Sequence, residues 1–460
     1  METTTIKEIL SGPALKSPVN LRGWIRNHRK QNIIGFIDFF DGSAFESLQV
    51  VYDRDTRDFD RVIEYRIGSA ISVIGTVVKG KNALEIKADR IELLGDCPED
   101  YPLQPKKHTL EFLREIAYLR PRTRLFQAVF KVRSQSSFAI HEYFNRNDYI
   151  YVHTPIITAN DGEGAGNTFT VTALEPKDQE SFAKDDFSKD FFGRKTSLAV
   201  TGQLEGETFA LAFSKIYTFG PTFRAENSNT KTHAAEFWMI EPEIAFCDLH
   251  GLMDIQEDFL KYVLNYVLKN CASELEFLSK YNQFDVAARL RTVAAAKIAR
   301  VTHHDAIEIL LKADGKSGTK FQFKPQHGKD LAREHEKYLT DVHFKSPVFV
   351  YNWPRDIKAF YMYQNDDKKT VAAVDLLVPG AGELMGGSQR ETRHDMLVKR
   401  MKDMNVPADD LYWYLNLRKF GGCTHSGFGM GFERLVMFLT GMENIRDVVP
   451  YARTPKNCEF

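Results

Sequence analysis

The 460-residue chain has no C-x-x-C pair, and its five cysteines (Cys97, Cys247, Cys271, Cys423 and Cys458) are odd in number and scattered. A zinc site or disulfide framework is therefore not expected, and a reducing compartment is. No apolar run reaches the ~18 residues a membrane helix needs, so no membrane partner is expected. The opening METTTIKEIL lacks a basic stretch followed by an apolar one, and the first arginine is Arg22. Neither a secretory signal nor a transit peptide is expected, and the cytoplasm is the expected location. Charge of one sign is not in excess: 61 Lys and Arg stand against 62 Asp and Glu. That excludes a uniformly basic nucleic-acid coat and leaves room for a local basic patch. The common nucleotide signatures, G-x-x-x-x-G-K-[ST] and a strand-linked G-x-G-x-x-G, are missing too.

What is present is the mix of a globular protein, 43% hydrophobic and 27% charged, long enough for two or three domains. Short runs rich in Val, Ile and Phe predict strands at 19–27, 35–40, 47–52, 69–78 and 83–94, with a short helix near 56–66. Five strands in so short a stretch suggest a closed barrel, of which the OB-fold is the common oligonucleotide-binding form. Residues 98–110 read as a linker between a domain at 1–97 and a second at 111–460. Helical spacing predicts a helix at 122–147, then a strand at 149–158 containing Pro155. Further strands are expected at 167–173, 195–201, 215–224, 236–246, 346–353, 370–378 and 383–388. Helices are expected at 203–213, 248–270, 390–404 and 430–441. Strands following strands argue for an α+β domain built on an antiparallel sheet. Residues 174–193, with nine charges, read as a mobile loop, and 271–345 as a peripheral helical insertion.

Three clusters carry chemistry. In Phe223-Arg224-Ala225-Glu226, followed by a polar loop and Phe237, a hairpin brings Arg224 to Phe237 across the strand pair. Such a trio suits phosphate, adenine N6 and the adenine face; a cross-strand ion pair beside a core Phe is the alternative. In 375–390, Asp375 and Glu383 are hard oxygen donors suited to Mg²⁺ shared with phosphates, and Arg390 suits a carbonyl or carboxylate. The alternative is a glycine-rich bulge with solvated charges. Gly427-Phe428-Gly429-Met430-Gly431 precedes Glu433-Arg434 and reads either as a backbone surface for a flat ligand or as a tight strand-to-helix turn. His303-His304-Asp305 is read as a helix N-terminus.

Together, in order and spacing, these clusters resemble the catalytic domain of class II aminoacyl-tRNA synthetases. The 122–147 helix and the strand after it look like motif 1, Phe223-Arg224-x-Glu226 like motif 2, and the glycine run with Glu433-Arg434 like motif 3. An OB barrel in front is the arrangement of the aspartyl, asparaginyl and lysyl subgroup. FRAENSNTKTHAAEFWMIEPE, DLLVPGAGELMGGSQRE and RTPKNCEF are most similar to the asparaginyl branch. Bacterial-type aspartyl enzymes carry a lysine where this chain has Gly206 in Thr201-Gly202-Gln203-Leu204-Glu205-Gly206, and Asp where it has Glu241.

The resemblance implies activation of L-asparagine by ATP to an adenylate, then transfer to the 3′ end of tRNA(Asn), by a homodimer using Mg²⁺. It assigns Arg224 to the α-phosphate and Arg434 to the γ-phosphate, both catalytic, with His233 assisting. Phe237 stacks under adenine and Glu226 accepts from its N6. Asp375, Glu383 and Ser388 hold the metal. Glu163 and Gln203 meet the substrate ammonium. Glu241 accepts from the side-chain amide and Arg390 donates to its oxygen; a structural salt bridge is the alternative for Glu241. Residues 1–35 carry six Lys and Arg against two Glu, and Arg26, Phe36 and Gln49 are assigned to the anticodon, with a core Phe as the alternative for Phe36. The rival readings are an aspartyl enzyme, a synthetase-like asparagine synthetase and a catalytically dead RNA-binding paralogue.

Overall fold

The computed structural model describes residues 3–12, 16–81, 83–160, 167–175, 186–228, 230–316 and 318–460. The chain divides into two compact units, Met1–Ala128 and Val129–Phe460, so the stretch expected as a linker lies inside the first.

In the first unit β1 (Pro18–Lys30), β2 (Ile34–Phe40), β3 (Leu48–Asp53), β4 (Ala70–Lys79) and β5 (Leu84–Gly95) close into a barrel of order β1-β2-β3-β5-β4. Alternation drives it. Ile37 and Phe39 point inward with Leu21, Val50, Val73 and Ile86, all buried, while Phe36, Asp38 and Phe40 face outward. Closure leaves no open sheet edge. The barrel and its short helix, here Phe59–Val62, are the elements the apolar runs predict.

In the second unit the strands are β6 (Ile150–Tyr151), β7 (Ile157–Thr158), β8 (Thr170–Val171), β9 (Thr196–Leu198), β10 (Lys215–Phe223), β11 (Glu236–Ala245), β12 (Ala299–Thr302), β13 (Val348–Pro354), β14 (Thr370–Val378), β15 (Gly382–Gln389) and β16 (His425–Gly431). Eight form one sheet of order β12-β13-β14-β15-β16-β11-β10-β6, and three form a small sheet β7-β9-β8. The expected antiparallel pairing holds through the middle of the large sheet, but both edges join parallel, β12 to β13 and β6 to β10. The helices Arg124–Arg146, Gln203–Phe213, Leu249–Asn270 and Phe432–Thr440 match the periodicity. Leu249–Asn270 starts at Asp248, whose carboxylate accepts from Gly251 N at 2.8 Å. Among the described residues no helix is long and apolar enough to cross a membrane.

Three expectations need correction. The single strand at 149–158 is two short ones in different sheets, β6 and β7. Pro155 between them has no N–H for a continuous ladder. The 271–345 region is not peripheral: Ala299–Thr302 extends the large sheet, and Ala306, Ile307 and Leu310 share a core with Val348, Val350 and Val371. The glycine run is more than a strand-to-helix turn: it is an interior strand, β16, between β15 and β11, and only its last glycine, Gly431, caps the helix Phe432–Thr440. A Cβ on Gly427 would fall within 2.2–2.4 Å of the Glu243 carboxyl, so only glycine lets the two strands carry that acid between them. Of the expected mobile loop, 176–185 lie outside the described residues.

Candidate active site

The β10–β11 hairpin pairs Thr222 with Phe237, and Arg224 N donates to Ala235 O at 2.9 Å just beyond the ladder. That register carries the Arg224 guanidinium to 5.5 Å from the Phe237 ring centroid, within the range of a cation–π contact. Facing them, Arg434 on its helix lies 4.0 Å from Glu383 on β15. Arg224, Glu226, His233, Phe237, Glu383 and Arg434 all line one cleft of about 240 Å³. Four separate segments thus bring every residue expected around ATP to one space. It offers cations, an aromatic plate and acceptors, as a nucleoside polyphosphate requires.

Glu433 holds this arrangement together. Its carboxylate accepts from Arg133 Nη2 at 2.8 Å and from Trp238 N at 2.9 Å. Arg133 also donates to Val448 O at 3.0 Å and lies over the Phe432 ring. The pair is nearly buried, 14% and 2% exposed, so losing one partner strands the other's charge. The spacing singles out Glu433 only as Arg434's neighbour; its structural role has no sequence signal.

Behind the cleft lies a second, buried group of polar residues. Glu241, 6% exposed, accepts from the Thr201 hydroxyl, from Gly202 N at 2.9 Å and from Thr218 Oγ1 at 3.2 Å. A carboxylate has about four acceptor sites, so one remains, on Oε1. Arg390 is 3% exposed. Its Nε donates to Glu243 at 3.1 Å, its Nη2 to the other Glu243 oxygen, and its Nη1 to Ser388 Oγ at 2.9 Å. Two of its five N–H groups are left over. Burial works against the Arg390 charge, but Glu243 and Glu207 outweigh it and hold the guanidinium charged. Burial and Glu207 push the Glu243 carboxyl up to about 7 against the pull of Arg390, yet both its oxygens accept from Arg390, the geometry of an ionised fork-to-fork pair. A Cβ on Gly206 would sit 3.9 Å from both Glu243 Cγ and Thr218 Cγ2. A long side chain there would reach directly into this group.

Gln203 is buried, and its amide donates to Glu207 Oε1 at 3.1 Å. Glu207 is a residue that no motif marks. Fully buried, it also takes the Tyr414 hydroxyl at 2.8 Å, Arg418 Nη2 at 2.8 Å and His425 Nε2 at 2.9 Å. Burial opposes its charge, but Arg418 and His425 outweigh burial and keep the carboxyl below its usual range. Glu163 lies outside the described residues.

For a metal, the donor set is Asp375 and Glu383. A Cβ on Gly386 would lie 3.0 Å from Glu383 Oε1 and 3.4 Å from Asp375 Oδ1, so both carboxylates converge on space that glycine leaves free. Burial pushes the Asp375 carboxyl up to about 7, with Glu383 repelling it and Lys358, 2.8 Å away, pulling the other way. A divalent cation relieves such crowding, so the pair fits Mg²⁺. Ser388 does not join them: it is fully buried and its hydroxyl accepts from Arg390. No group of three or more His, Cys, Asp or Glu among the described residues is arranged to hold a metal, so water and substrate phosphate oxygens would supply the remaining ligands.

On the barrel, Phe36 pairs with Arg29 across β1–β2, and Arg29 lies 5.2 Å from its ring and donates to Gln49 Oε1 at 2.7 Å. Gln49 in turn donates to Glu85 at 2.9 Å. Phe36 is on the outer face, not in the core. Arg26 stands apart: its guanidinium packs 3.8 Å over Phe40 and donates to Gln127. Burial lowers its pKa to about 10. It is lodged against its own unit rather than held out as a free phosphate contact.

Residues 109–455 match the family described as tRNA synthetases class II (D, K and N), and residues 19–94 match the OB-fold nucleic acid binding domain. The chain is 57% identical to the asparagine–tRNA ligase of Acholeplasma laidlawii, covering 99% of both. It is 54% identical to that of Clostridium beijerinckii, covering 97% of this chain and 96% of the relative. Among solved structures, asparaginyl-tRNA synthetase from Pyrococcus horikoshii complexed with asparaginyl-adenylate matches with a TM-score of 0.86 at 27% identity, covering 100% of both chains. The Entamoeba histolytica enzyme in complex with asparaginyl-adenylate has a TM-score of 0.83 at 25% identity over 98% of each.

Proposed function

The chain belongs to the class II tRNA synthetases and, among them, to the asparagine–tRNA ligases, and from that premise we infer how its residues do the work. The reaction has two steps. Asparagine's carboxylate attacks the α-phosphorus of ATP, giving asparaginyl-adenylate and pyrophosphate; the asparaginyl group then passes to the 3′ end of tRNA(Asn). No protein nucleophile is needed, because the substrate supplies it. The protein's task is to align two anions and stabilise charge at the five-coordinate phosphorus.

Arg224 bridges the α-phosphate and the attacking carboxylate, for which its planar fork is suited. Phe237 stacks under adenine and Glu226 accepts from N6. Arg434, helped by His233, binds the γ-phosphate. Mg²⁺, when bound, supplies charge neutralisation on the polyphosphate. Asp375 and Glu383 would hold it, while Ser388 serves Arg390. The observation that carries this reading is the convergence of Arg224, Glu226, Phe237, Glu383 and Arg434 on one cleft.

Asparagine and aspartate have nearly the same shape, so selection rests on hydrogen bonds. The open Oε1 site of Glu241 accepts from the side-chain NH₂, and a leftover Arg390 N–H donates to the carbonyl oxygen. Gln203 helps with the ammonium, as does Glu163. Gly206 leaves out the lysine of aspartyl enzymes, which favours the amide over the acid.

Residues 1–97 take the anticodon, with Phe36 stacking on a base and Gln49 bonding a base edge; residues 111–460 do the chemistry. The protein works as a homodimer. In support, Phe138, Ile150 and Tyr151 are exposed apolar residues, and β6 is a sheet edge, a combination that favours pairing with a second copy. The five free cysteines fit the cytoplasm. ATP–pyrophosphate exchange with asparagine and with aspartate tests the assignment. Exchange with asparagine far above aspartate is expected; equal exchange identifies the aspartyl alternative.

A further inference from the structure

Glu207, fully buried, accepts from Gln203, Tyr414, Arg418 and His425. Arg390 Nε lies 3.9 Å from it on the other side. His425 is informative. Its Nδ1 meets Cys423 O at 2.8 Å while its Nε2 meets Glu207 at 2.9 Å. Neither partner has a proton to give, so both ring nitrogens must donate, and the ring is an imidazolium. The buried cations behind the pocket are therefore Arg390, Arg418 and His425, and the carboxylates are Glu207, Glu241 and Glu243. Arg390 is taken by Glu243 through two bonds. Arg418 and His425 are both taken by Glu207. Glu205 also lies near Glu241; burial and the Glu241 charge push its carboxyl up, its hydrogen bonds to Asn160 and Thr158 only partly offset this, and it brings no cation.

We propose that Glu207 is a specificity-determining positioning residue: by holding Arg418 and His425 it leaves the pocket balanced for an uncharged amide and without a spare cation for a carboxylate. The inference rests on the reading above that Gln203, Glu241 and Arg390 bind the amino acid. Asparagine and aspartate share the same ammonium and α-carboxylate, so only the side-chain charge tests this balance. Aspartate brings a negative charge into a desolvated group in which every cation is already matched. The rejection is therefore spread over the buried network and is not confined to Glu241.

Glu207→Gln removes one carboxylate and leaves one cation in excess, which aspartate neutralises. In pyrophosphate exchange on the full chain, the ratio of kcat/KM for asparagine over aspartate should fall by about tenfold or more. The double variant Glu207→Gln/Arg418→Met restores the balance, and its ratio should return toward wild type. A residue that served only the fold would lower both substrates and leave the ratio in place; an unchanged ratio in folded Glu207→Gln overturns the proposal. Should thermal melts show that Glu207→Gln does not fold, Arg418→Met alone decides. Loss of a cation must depress aspartate relative to asparagine by about threefold or more, and any smaller change, or a gain, overturns it. Wild type in the same assay keeps the two questions apart: if it does not activate asparagine, the substrate assignment itself is wrong, whatever the variants do.

Discussion

Replacing Glu241 by glutamine changes a charge while keeping its shape. The three internal donors decide how the amide settles. Two of them, Gly202 N and Thr218 Oγ1, bond Oε2; only the Thr201 hydroxyl bonds Oε1. The glutamine carbonyl takes the Oε2 place and keeps both of its bonds. Its NH₂ takes the Oε1 place, where the Thr201 hydroxyl turns to accept. The fold is kept, and the one open site changes from acceptor to donor. For asparagine this removes a charge-assisted bond worth about 1.5–3 kcal/mol. For aspartate it replaces a repelling carboxylate by a donor. The ratio of kcat/KM for asparagine over aspartate should then drop by at least about tenfold, equivalent to ~1.4 kcal/mol. Pyrophosphate exchange on wild type and Glu241→Gln with each amino acid measures it. An unchanged ratio would show that Glu241 is only a brace for Thr201, Gly202 and Thr218, and would leave Arg390 as the reader of the side chain.

Arg224→Ala should slow pyrophosphate exchange by roughly 3 kcal/mol or more, the scale of a lost transition-state donor, with an unchanged melt; a loss below tenfold contradicts the α-phosphate role. Phe36→Ala and Gln49→Ala should each raise the tRNA KM by a factor equivalent to about 1–3 kcal/mol while exchange stays intact, and equal damage to both steps would mean that they only brace the barrel. Glu433→Ala should destabilise the catalytic unit by about 3–5 kcal/mol, read by urea unfolding, because Arg133 is left nearly buried and unpaired. Sedimentation at micromolar concentration should give a dimer; a clean monomer contradicts the role proposed for the β6 edge.

Legibility followed locality. The barrel strands show in the sequence because an alternating period places Ile37 and Phe39 inside and Phe36 outside without reference to anything distant. Arg224 and Phe237 show because a hairpin needs only the residues between its arms. The rest depends on pairings that the chain does not announce. Glycine marks turns more often than central strands, so the sequence leaves β16 open between a turn and a flat backbone surface, and only Glu243 filling the place of a Gly427 side chain shows the interior strand. Ala299–Thr302 is too short to signal a strand, and it becomes one only by lying parallel to β13. Glu207 on a helix looks like a solvated acid; its cations come from residues 211 and 218 positions further on. Ser388 and Arg26 have the right chemistry for the roles first given them, but Arg390 and the Phe40 ring claim them.

The distance along the chain between Glu207 and its partners has a consequence for biosynthesis. All five strands of the barrel are made by Gly95, while most of the protein is still unmade. The amino-acid pocket is finished much later. Glu207 and Glu243 emerge early, as acids that must wait for Arg390, Arg418 and His425 before their charge can be buried. At about 5–20 residues per second, the ribosome takes roughly 10–45 s to cover that interval. During it the half-made catalytic unit carries acids whose buried cationic partners have not yet been made. The arrival of the last cations then sets the moment at which the pocket shuts.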